Sequence, residues 1–253
     1  YVHVHLTPDQ YDLIEAVRDK YDDGSEYARR GLFSVMRMLT NDPRSILLSE
    51  GKVGREIAEI VGEAGLIAVG SGKRDRLLEW ITPVVKGQGA QVVLFSFFTS
   101  TLHFLGQDLL DAGFGVALHH GGLDGGAREE AKRSFRAGEK QVFLTSDAGA
   151  RGLNLPEALY VVEYEPSITH SNHVQRLDRI HRIDSKHPSV TGLTMVGLDS
   201  IDEGLIMLGH RRNLYQDRLL GDDDLGGENF LTAEQRAVLI KISKNNPVER
   251  ILT

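Results

Sequence analysis

The stretch Val142–Leu155, "VFLTSDAGARGLNL", joins a short apolar run to a loop that is rich in glycine and polar residues. The run Val142–Leu144 is typical of a buried β-strand. The notable loop residues are Gly149, Arg151 and Gly152, with Thr145, Ser146, Asp147 and Asn154. A plain strand-to-helix connection needs far less glycine and polarity than this. We therefore interpret the loop as a functional segment at the end of a strand.

From Gln91 onward, short apolar runs typical of strands alternate with segments of helical pattern. The other predicted strands are Val92–Phe95, Val116–Leu118, Tyr160–Val162 and Leu193–Val196. The predicted helices are Thr101–Ala112, Gly126–Ala137, Ser171–Arg182 and Ile201–Leu219. Alternating strands and helices predict an α/β fold, a parallel sheet with helices on both faces. Ligands of such sheets bind beyond the carboxyl ends of the strands, where the loop behind Leu144 falls.

The first 88 residues follow a mainly helical pattern instead. Thr7, Pro8 and Gln10 form the signature of a capped helix start, because Thr7 and Gln10 have the capping-box spacing. We predict a helical region at 1–88, an α/β lobe at 89–220, and an acidic linker with a short helix, Thr232–Ile242, at 221–253. Because the sequence starts at Tyr1 rather than Met, we expect a longer parent chain.

Composition narrows the function classes. The chain has 253 residues, a net charge of −7, 41% hydrophobic residues and no cysteine. Disulfides and thiolate metal sites are excluded, and the ten histidines match no common ligand spacing. We therefore predict no metal site. No apolar run approaches the ~20 residues of a membrane span, so no membrane partner is expected. The expected location is intracellular, cytoplasmic in a bacterial or viral host and nuclear in a eukaryotic one.

Two other segments follow predicted strands. In "SFFTSTLHF", Ser96–Phe104, hydroxyls just past a strand end could bind phosphate. The alternative is a helix capped by Thr99 or Ser100, with Phe97 and Phe98 packed inside. After the strand at Val116, the sequence "HHGGLDGGAREEAKRSF" indicates a glycine turn, a helix capped by Asp124 and a basic stripe. The stripe consists of Lys132, Arg133 and Arg136, and such stripes are usually solvated surface.

The stretch Gln175–Asp184, "QRLDRIHRID", repeats arginine every three residues. On a helix, Gln175, Arg179 and Arg182 share one face. Arginine suits phosphate because its charge is permanent and its donors form a planar fork. Two arginines and a glutamine aimed at one point resemble a clamp on a transferring phosphoryl group.

The same helix has an alternative interpretation. Leu177 and Ile180 would face the core, which leaves the arginines at the rim of the crevice. Asp178 and Arg182 are also spaced as an i, i+4 pair, so the arginines could belong to an ordinary salt-bridged surface helix.

Taken in order, these segments resemble the second RecA-like lobe of helicase superfamily two, in its SWI/SNF-type DNA-translocase branch. The resemblance covers Val2 to Leu219. "VHVHLTPDQ" is similar to the family's segment after the first lobe, and "SGKRDRLLEWI" to its lead into the second. "VVLFSFFTSTL" is similar to helicase motif IV, "VFLTSDAGARGLNL" to motif V and "QRLDRIHRID" to motif VI. Three motifs in this order and spacing are highly specific.

The resemblance implies roles for individual residues. Arg179 and Arg182 would act as arginine fingers on the γ-phosphate of ATP, with Gln175 supporting them and Arg176 acting through packing or lobe closure. Gly152 and Asn154 would lie near the nucleotide. The implied contacts to the DNA backbone are Ser96, Thr99, His120, Thr145 and Ser146. The implied partners are nucleic acid, double-stranded DNA in this branch, and the first RecA-like lobe of the same protein.

Two departures keep alternatives open. The motif VI segment continues with Ile183-Asp184-Ser185 where the branch usually has Ile-Gly-Gln, and "SDAGARG" is closer to RNA helicases. The second lobe of an RNA helicase, a non-catalytic nucleic-acid-binding module and a generic nucleotide-binding α/β domain therefore remain alternatives. The helical region before Gln88 favours DNA.

The sequence lacks other parts of an ATPase. Neither a phosphate-binding loop, G-x-x-x-x-G-K-[ST], nor an acidic magnesium motif occurs. We expect ATP and Mg²⁺ to serve the full two-lobe protein, and this chain alone to bind neither tightly and to hydrolyse little ATP.

Overall fold

The computed structural model describes residues 1–150, 152–168, 173–174, 176–177, 180, 186–209 and 232–242. The strands are β1 (Val2–Val4), β2 (Val92–Phe95), β3 (Val116–His119), β4 (Val142–Thr145), β5 (Tyr160–Glu163) and β6 (Thr191–Gly197). They form a six-stranded sheet in the order β1-β6-β5-β2-β4-β3. The four pairings among strands β2, β3, β4, β5 and β6 are all parallel. The predicted α/β class with a parallel sheet is therefore confirmed.

The described part of the chain also forms α-helices. They are α1 (Pro8–Tyr21), α2 (Glu26–Asn41), α3 (Lys52–Val69), α4 (Gly72–Thr82), α5 (Thr99–Asp111), α6 (Gly125–Arg136), α7 (residues 201–209) and α8 (Ala233–Ile240). Short 3₁₀ and π segments occupy Pro43–Leu48 and Pro83–Gly87. Most of the predicted helix Ser171–Arg182, and the end of the one predicted at Ile201–Leu219, lie outside the described residues.

Helix starts follow the local sequence closely. Thr7 caps α1 in a complete capping box with Gln10, Asp124 caps α6, and Thr232 caps α8, as predicted for the first two. The predicted alternative for α5 is wrong in its details. That helix begins after Phe98, with no side-chain cap, and Phe97 is 38% exposed. Thr99 is the first helical residue, and Phe98 occupies the N-cap position, so neither Thr99 nor Ser100 caps the helix.

The chain divides into two compact units. The first comprises residues 1–2, 74–165 and 172–195, and the second residues 3–73, 166–171 and 196–253. The boundaries predicted from sequence, 1–88, 89–220 and 221–253, remain a prediction.

The first unit contains the hydrophobic core under the sheet. Val93, Phe143 and Val161 from neighbouring strands pack with Phe135 of α6, and all four are fully buried. Ile180 joins this cluster and Leu177 packs against it, as predicted for their stretch. The core therefore anchors two residues of that stretch beneath the strand ends.

The second unit is helical. Within it α2 packs against α1, α3 and α8. A buried ion pair joins Lys73 to Asp202, both with fully buried side chains, and the Lys73 ammonium also donates to Oδ1 of Asn41 over 3.0 Å. We call Lys73 and Asp202 the sealed pair. The mainly helical character predicted for the first 88 residues is confirmed.

Candidate functional site

The loop behind β4 is wound into consecutive turns at the carboxyl end of the sheet. The Ser146 hydroxyl accepts a hydrogen bond from the Gly149 N–H (3.2 Å), and the Ala150 N–H donates to the Ser146 carbonyl (2.8 Å). Ala150 and Leu153 are buried, so the turns are fastened to the core. The loop predicted to be functional is therefore held at the end of β4 by its own hydrogen bonds and by buried side chains.

Two glycines make this path feasible. A Cβ at Gly149 would lie 2.8 Å from the His119 carbonyl oxygen and 2.9 Å from Cα of His120, closer than real Cβ atoms approach backbone. Gly152 has φ +74°, a backbone conformation that residues with a side chain rarely adopt, although the space around it is open. The loop therefore approaches the end of β3 at a distance that only glycine allows.

A buried ion cluster lies at the ends of β4 and β5. The Arg176 guanidinium donates through Nε and Nη2 to the two carboxylate oxygens of Asp147, over 2.6 and 2.8 Å. Its Nη1 donates to Oε1 of Glu163 over 2.8 Å. Glu163 Oε2 accepts from Thr194 (2.8 Å) and contacts Nδ1 of His173 (2.6 Å). We call Asp147, Glu163, His173 and Arg176 the strand-end cluster.

The cluster is strongly coupled electrostatically. Burial alone would raise the pKa of Glu163, but hydrogen bonding to His173, the Arg176 charge and the Thr194 hydroxyl outweigh it and lower that pKa to about 2. The hydrogen bond to Glu163 raises the pKa of His173. For Arg176, burial acts to lower the pKa, and the Asp147 and Glu163 carboxylates overcome it and raise it. The contacts within the cluster therefore favour the charged form of all three groups.

A second carboxylate fixes the segment after β2. Glu165 is fully buried, and it accepts hydrogen bonds from the Ser96 hydroxyl (3.0 Å) and from the Phe97 N–H. Ser96 is itself fully buried. Its hydroxyl thus orders the turn before α5 and does not face solvent.

A groove of about 330 Å³ opens between α6 and the loop behind β4. Its lining includes His119, Arg128, Lys132, Gly149 and Gly152. Among the described residues, Nδ1 of His119 and Nε of Arg128 are buried without a hydrogen-bond partner. Burial, and then the charges of Lys132 and Arg128, lower the pKa of His119. These groups give the groove positive charge and donor groups, partly offset by Glu129, which pairs with Lys132.

The structure shows where the remaining predicted residues lie. Thr145 is fully buried and Ser146 nearly so, while His120 is half-buried and its Nδ1 accepts from the Gly122 N–H (3.2 Å). The Asn154 carbonyl accepts from Arg136 of α6 (2.7 Å). Gln175, Arg179, Arg182 and Arg151 lie outside the described residues. The nucleotide and DNA roles of all these residues remain predictions.

Sequence reasoning missed most of the strand-end cluster. It ranked Arg176 below the other two arginines and assigned nothing to Glu163, His173 or Glu165. One signal was present: the stretch "YVVEYEP", which begins with the apolar strand, carries two glutamates, and a buried carboxylate requires a partner. In the predicted basic stripe only Arg133 is plain surface, since it is bound between Glu130 and Glu139, whereas Lys132 lines the groove and Arg136 donates to the Asn154 carbonyl.

The described residues contain neither a metal-ligand cluster nor a membrane-spanning helix. No group of three or more His, Cys, Asp or Glu side chains in that part of the chain is positioned to hold a metal ion. None of its helices combines the length and apolar character needed to cross a membrane.

Comparisons with known proteins agree with this architecture. Residues 72–184 match the family model described as helicase conserved C-terminal domain. Over 96 residues the chain is 34% identical to eukaryotic initiation factor 4A of Dictyostelium discoideum, covering 38% of the chain and 24% of that protein. Over 191 residues it is 23% identical to DEAD-box ATP-dependent RNA helicase 35B of Oryza sativa subsp. japonica, covering 70% and 30%. The chain thus spans a third or less of these relatives.

Solved structures show the same fold. The C-terminal part of the Fun30 ATPase domain superposes with a TM-score of 0.67 at 18% identity, covering 95% of both chains. The Sulfolobus solfataricus SWI2/SNF2 ATPase core in complex with dsDNA gives a TM-score of 0.57 at 21% identity, covering 86% of this chain and 45% of that one. The match at residues 72–184 thus confirms the predicted resemblance to a helicase C-terminal domain, and the solved structures confirm its fold.

Proposed function

We propose that this chain, with its helicase C-terminal domain over residues 72–184, is the second lobe of an ATP-dependent translocase that acts on double-stranded DNA. The lobe would supply arginine fingers and contacts to the DNA backbone. The observation that carries the proposal is the bidentate hydrogen bonding of Arg176 to Asp147, 29 residues away in the sequence, which joins the segments resembling motifs V and VI at the strand ends.

The strand-end location supports a phosphoryl-transfer role. Arg179 and Arg182 follow Arg176 by three and six residues, so a fixed Arg176 helps to orient them. Their guanidinium groups would meet the charge that develops on the γ-phosphate in the transition state. Asn154 and Gly152 come from the loop that carries Asp147, and would meet the nucleotide from the same strand end.

ATP and Mg²⁺ would be held mainly by the first lobe. The residues of this chain suit one part of that task, since arginines and backbone N–H groups bind phosphate, whereas Mg²⁺ is usually held by one or two carboxylates together with the phosphates. When bound, Mg²⁺ would neutralise charge on the phosphates. We therefore expect the purified chain to hydrolyse ATP only at background, and a robust DNA-stimulated rate would contradict the proposal.

The groove supports a nucleic-acid role. Arg128 and Lys132 offer positive charge and His119 offers a ring nitrogen, and such groups suit a phosphate backbone. Thr99 and His120 are accessible for direct contact. Ser96, Thr145 and Ser146 are buried, so their contribution would be to hold the strand ends that bear the contacts.

A salt titration tests this surface. Binding of a fluorescent DNA duplex to the purified chain should be independent of sequence and weaken steeply with salt, because counterions are released. Arg128→Ala should lower affinity and reduce the salt slope by about 0.9, one phosphate contact. Arg133→Ala, on the same helix but occupied by two glutamates, is the matched control and should bind like the parent. Equal behaviour of the two variants would refute the groove as the DNA surface.

The second lobe of an RNA helicase is the other candidate. Its support is the sequence match to a DEAD-box ATP-dependent RNA helicase over 70% of the chain, together with the "SDAGARG" loop. The same titration with an RNA duplex of equal length separates the two. Tighter binding of RNA at matched salt would replace the DNA proposal. Strong preference for one base sequence would point to a binding module that reads bases.

A further inference from the structure

Glu163 contacts three residues from two other segments of the first unit, His173 and Arg176 from one stretch and Thr194 from β6. It ends β5, it is 2% exposed, and both of its oxygens are used. Arg176 approaches Oε1, while His173 and Thr194 approach Oε2. A carboxylate with this number of partners fixes the positions of the groups around it more tightly than a single ion pair does.

We propose that Glu163 is a positioning residue for the predicted arginine fingers: its carboxylate holds Arg176 and His173, and thereby sets the place of the segment that carries Arg179 and Arg182. The proposal rests on the proposed function, because it assigns Glu163 to the same reaction. Glu163 itself is not expected to touch ATP, since its oxygens are committed within the chain.

The geometry of the segment explains why a distant carboxylate matters. Arg176 is tied to the strand ends by three hydrogen bonds, and Ile180 is fully buried in the core. Arg179 lies between these two fixed residues in the sequence. A catalytic group must be held to within a fraction of an ångström of its productive place, and a displacement of about 1 Å costs on the order of 10²-fold in rate. Loosening one anchor would therefore reduce turnover.

A purely structural role explains the cluster less well. Buried ion pairs are weak contributors to stability, because desolvation offsets their attraction, and apolar side chains of the same size often stabilise as much. The strand-end cluster also reaches solvent, since the His173 side chain is 36% exposed and that of Asp147 is 31% exposed. Charged groups at the carboxyl ends of the strands, where such sheets bind ligands, are better explained if they hold nearby arginines in position.

The experiment compares two glutamates in the protein that joins this lobe to its ATP-binding lobe. Glu163→Gln should lower the DNA-stimulated kcat about 10²-fold, while KM for ATP stays within about twofold, because positioning acts mainly in the transition state. Glu157→Gln is the matched control: Glu157 is a mostly buried carboxylate before β5, paired with Lys186 over 3.3 Å, and it contacts no cluster residue in the described structure. Its kcat should not change. An unchanged kcat in Glu163→Gln would overturn the proposal.

A second measurement uses the 253-residue chain alone. In an NMR titration, Glu163→Gln should move the His173 imidazole pKa down towards its ordinary range, because its main partner, Glu163, loses its charge. Among the described residues, Arg176 is the other charged group that acts on the pKa of His173, and the charge of Glu163 also acts on Tyr1. An unchanged His173 titration would show that the contact is not made, and would also overturn the proposal.

Two further variants keep the outcomes distinct. If Glu163→Gln does not fold, Asp147→Asn removes the other, more exposed partner of Arg176 and should lower kcat in the same direction by a smaller factor; an unchanged rate overturns the proposal. Arg182→Ala separates the proposal from its premise. If that variant keeps its kcat, the finger assignment fails, whereas the NMR result still reports on the Glu163 contact.

Discussion

Two ion groups with buried members, both in the described part of the chain, differ in their access to solvent. In the strand-end cluster, the Asp147 and His173 side chains are each about one third exposed. In the sealed pair, Lys73 and Asp202 are both fully buried. One set of charges lies where a parallel sheet presents its ligands, and the other lies inside a helical unit. The two ion groups therefore differ in position as well as in exposure, one at the strand ends and one inside the helical unit.

The difference teaches how to interpret a buried ion pair. Withdrawing charges from water costs free energy whichever site is considered, so neither group is explained by stability alone. The sealed pair joins Lys73 to Asp202 of α7 within the helical unit. The strand-end cluster holds Arg176 beside the carboxyl ends of β4 and β5. Variants in the first should therefore change folding, and variants beside the second should change turnover.

The largest effect expected is on catalysis, at Arg182. In the two-lobe protein Arg182→Ala should lower kcat by about 10³–10⁵-fold, because it removes charge required in the transition state. Arg182→Lys should rescue poorly, since an ammonium cannot form the planar fork. ATPase rate and thermal stability are measured on the same protein. If Arg182 only pairs with Asp178, stability falls by about 0.3–0.5 kcal/mol and turnover is normal.

The next largest effect is on folding, at the sealed pair. Lys73→Met leaves the Asp202 carboxylate buried without its cation and should lower the free energy of unfolding by about 3–5 kcal/mol. The double variant Lys73→Met/Asp202→Leu should recover most of this loss, because no unpaired charge remains. Urea unfolding of the 253-residue chain measures both. In the two-lobe protein kcat per folded molecule should stay unchanged, and a large fall in kcat would end the distinction drawn between the two groups.

The sequence predicted the sheet better than it predicted the cluster, for a physical reason. Strands such as Val142–Thr145 and caps such as Thr7 are encoded by neighbours a few residues apart, so local patterns reveal them. The partners of Arg176 are 29 and 13 residues away, on the ends of different strands. No spacing rule joins them until the parallel sheet brings β4 and β5 to one edge. The arginine repeat identified the segment, whereas the contacts of its first arginine required the fold.

A smaller effect concerns pH and stability at the strand-end cluster. The pKa of Glu163 is lowered from 4.5 to about 2 in the folded chain, so its contribution is present above pH 4.5 and is lost as pH falls from there towards 2. The shift corresponds to about 3 kcal/mol at most. The pKa of His173 is raised, so its contribution is complete below its ordinary value of 6.5 and is lost as pH rises through the folded value.

The cluster should therefore contribute most between about pH 4.5 and 6.5. Thermal midpoints of the parent and of Glu163→Gln, compared across pH, measure this contribution. The gap between them should be widest near pH 5.5 and should close as the solution approaches pH 2. A gap that is constant with pH would mean that the carboxylate does not titrate differently in the folded and unfolded chains.

The smallest effect is expected where ion pairs are fully exposed. Arg133 lies on α6 and donates to Glu130 (2.7 Å) and Glu139 (2.9 Å), with more than half of each side chain accessible to solvent. Water and salt screen such pairs, and ordering the long side chains offsets their attraction. Arg133→Ala should leave the thermal midpoint unchanged within error, at low and at high salt. The same short distances occur around Arg176, so distance alone does not set the contribution of an ion pair. A clear loss of stability in Arg133→Ala at low salt would show that access to solvent is the wrong variable for ranking the ion pairs of this chain.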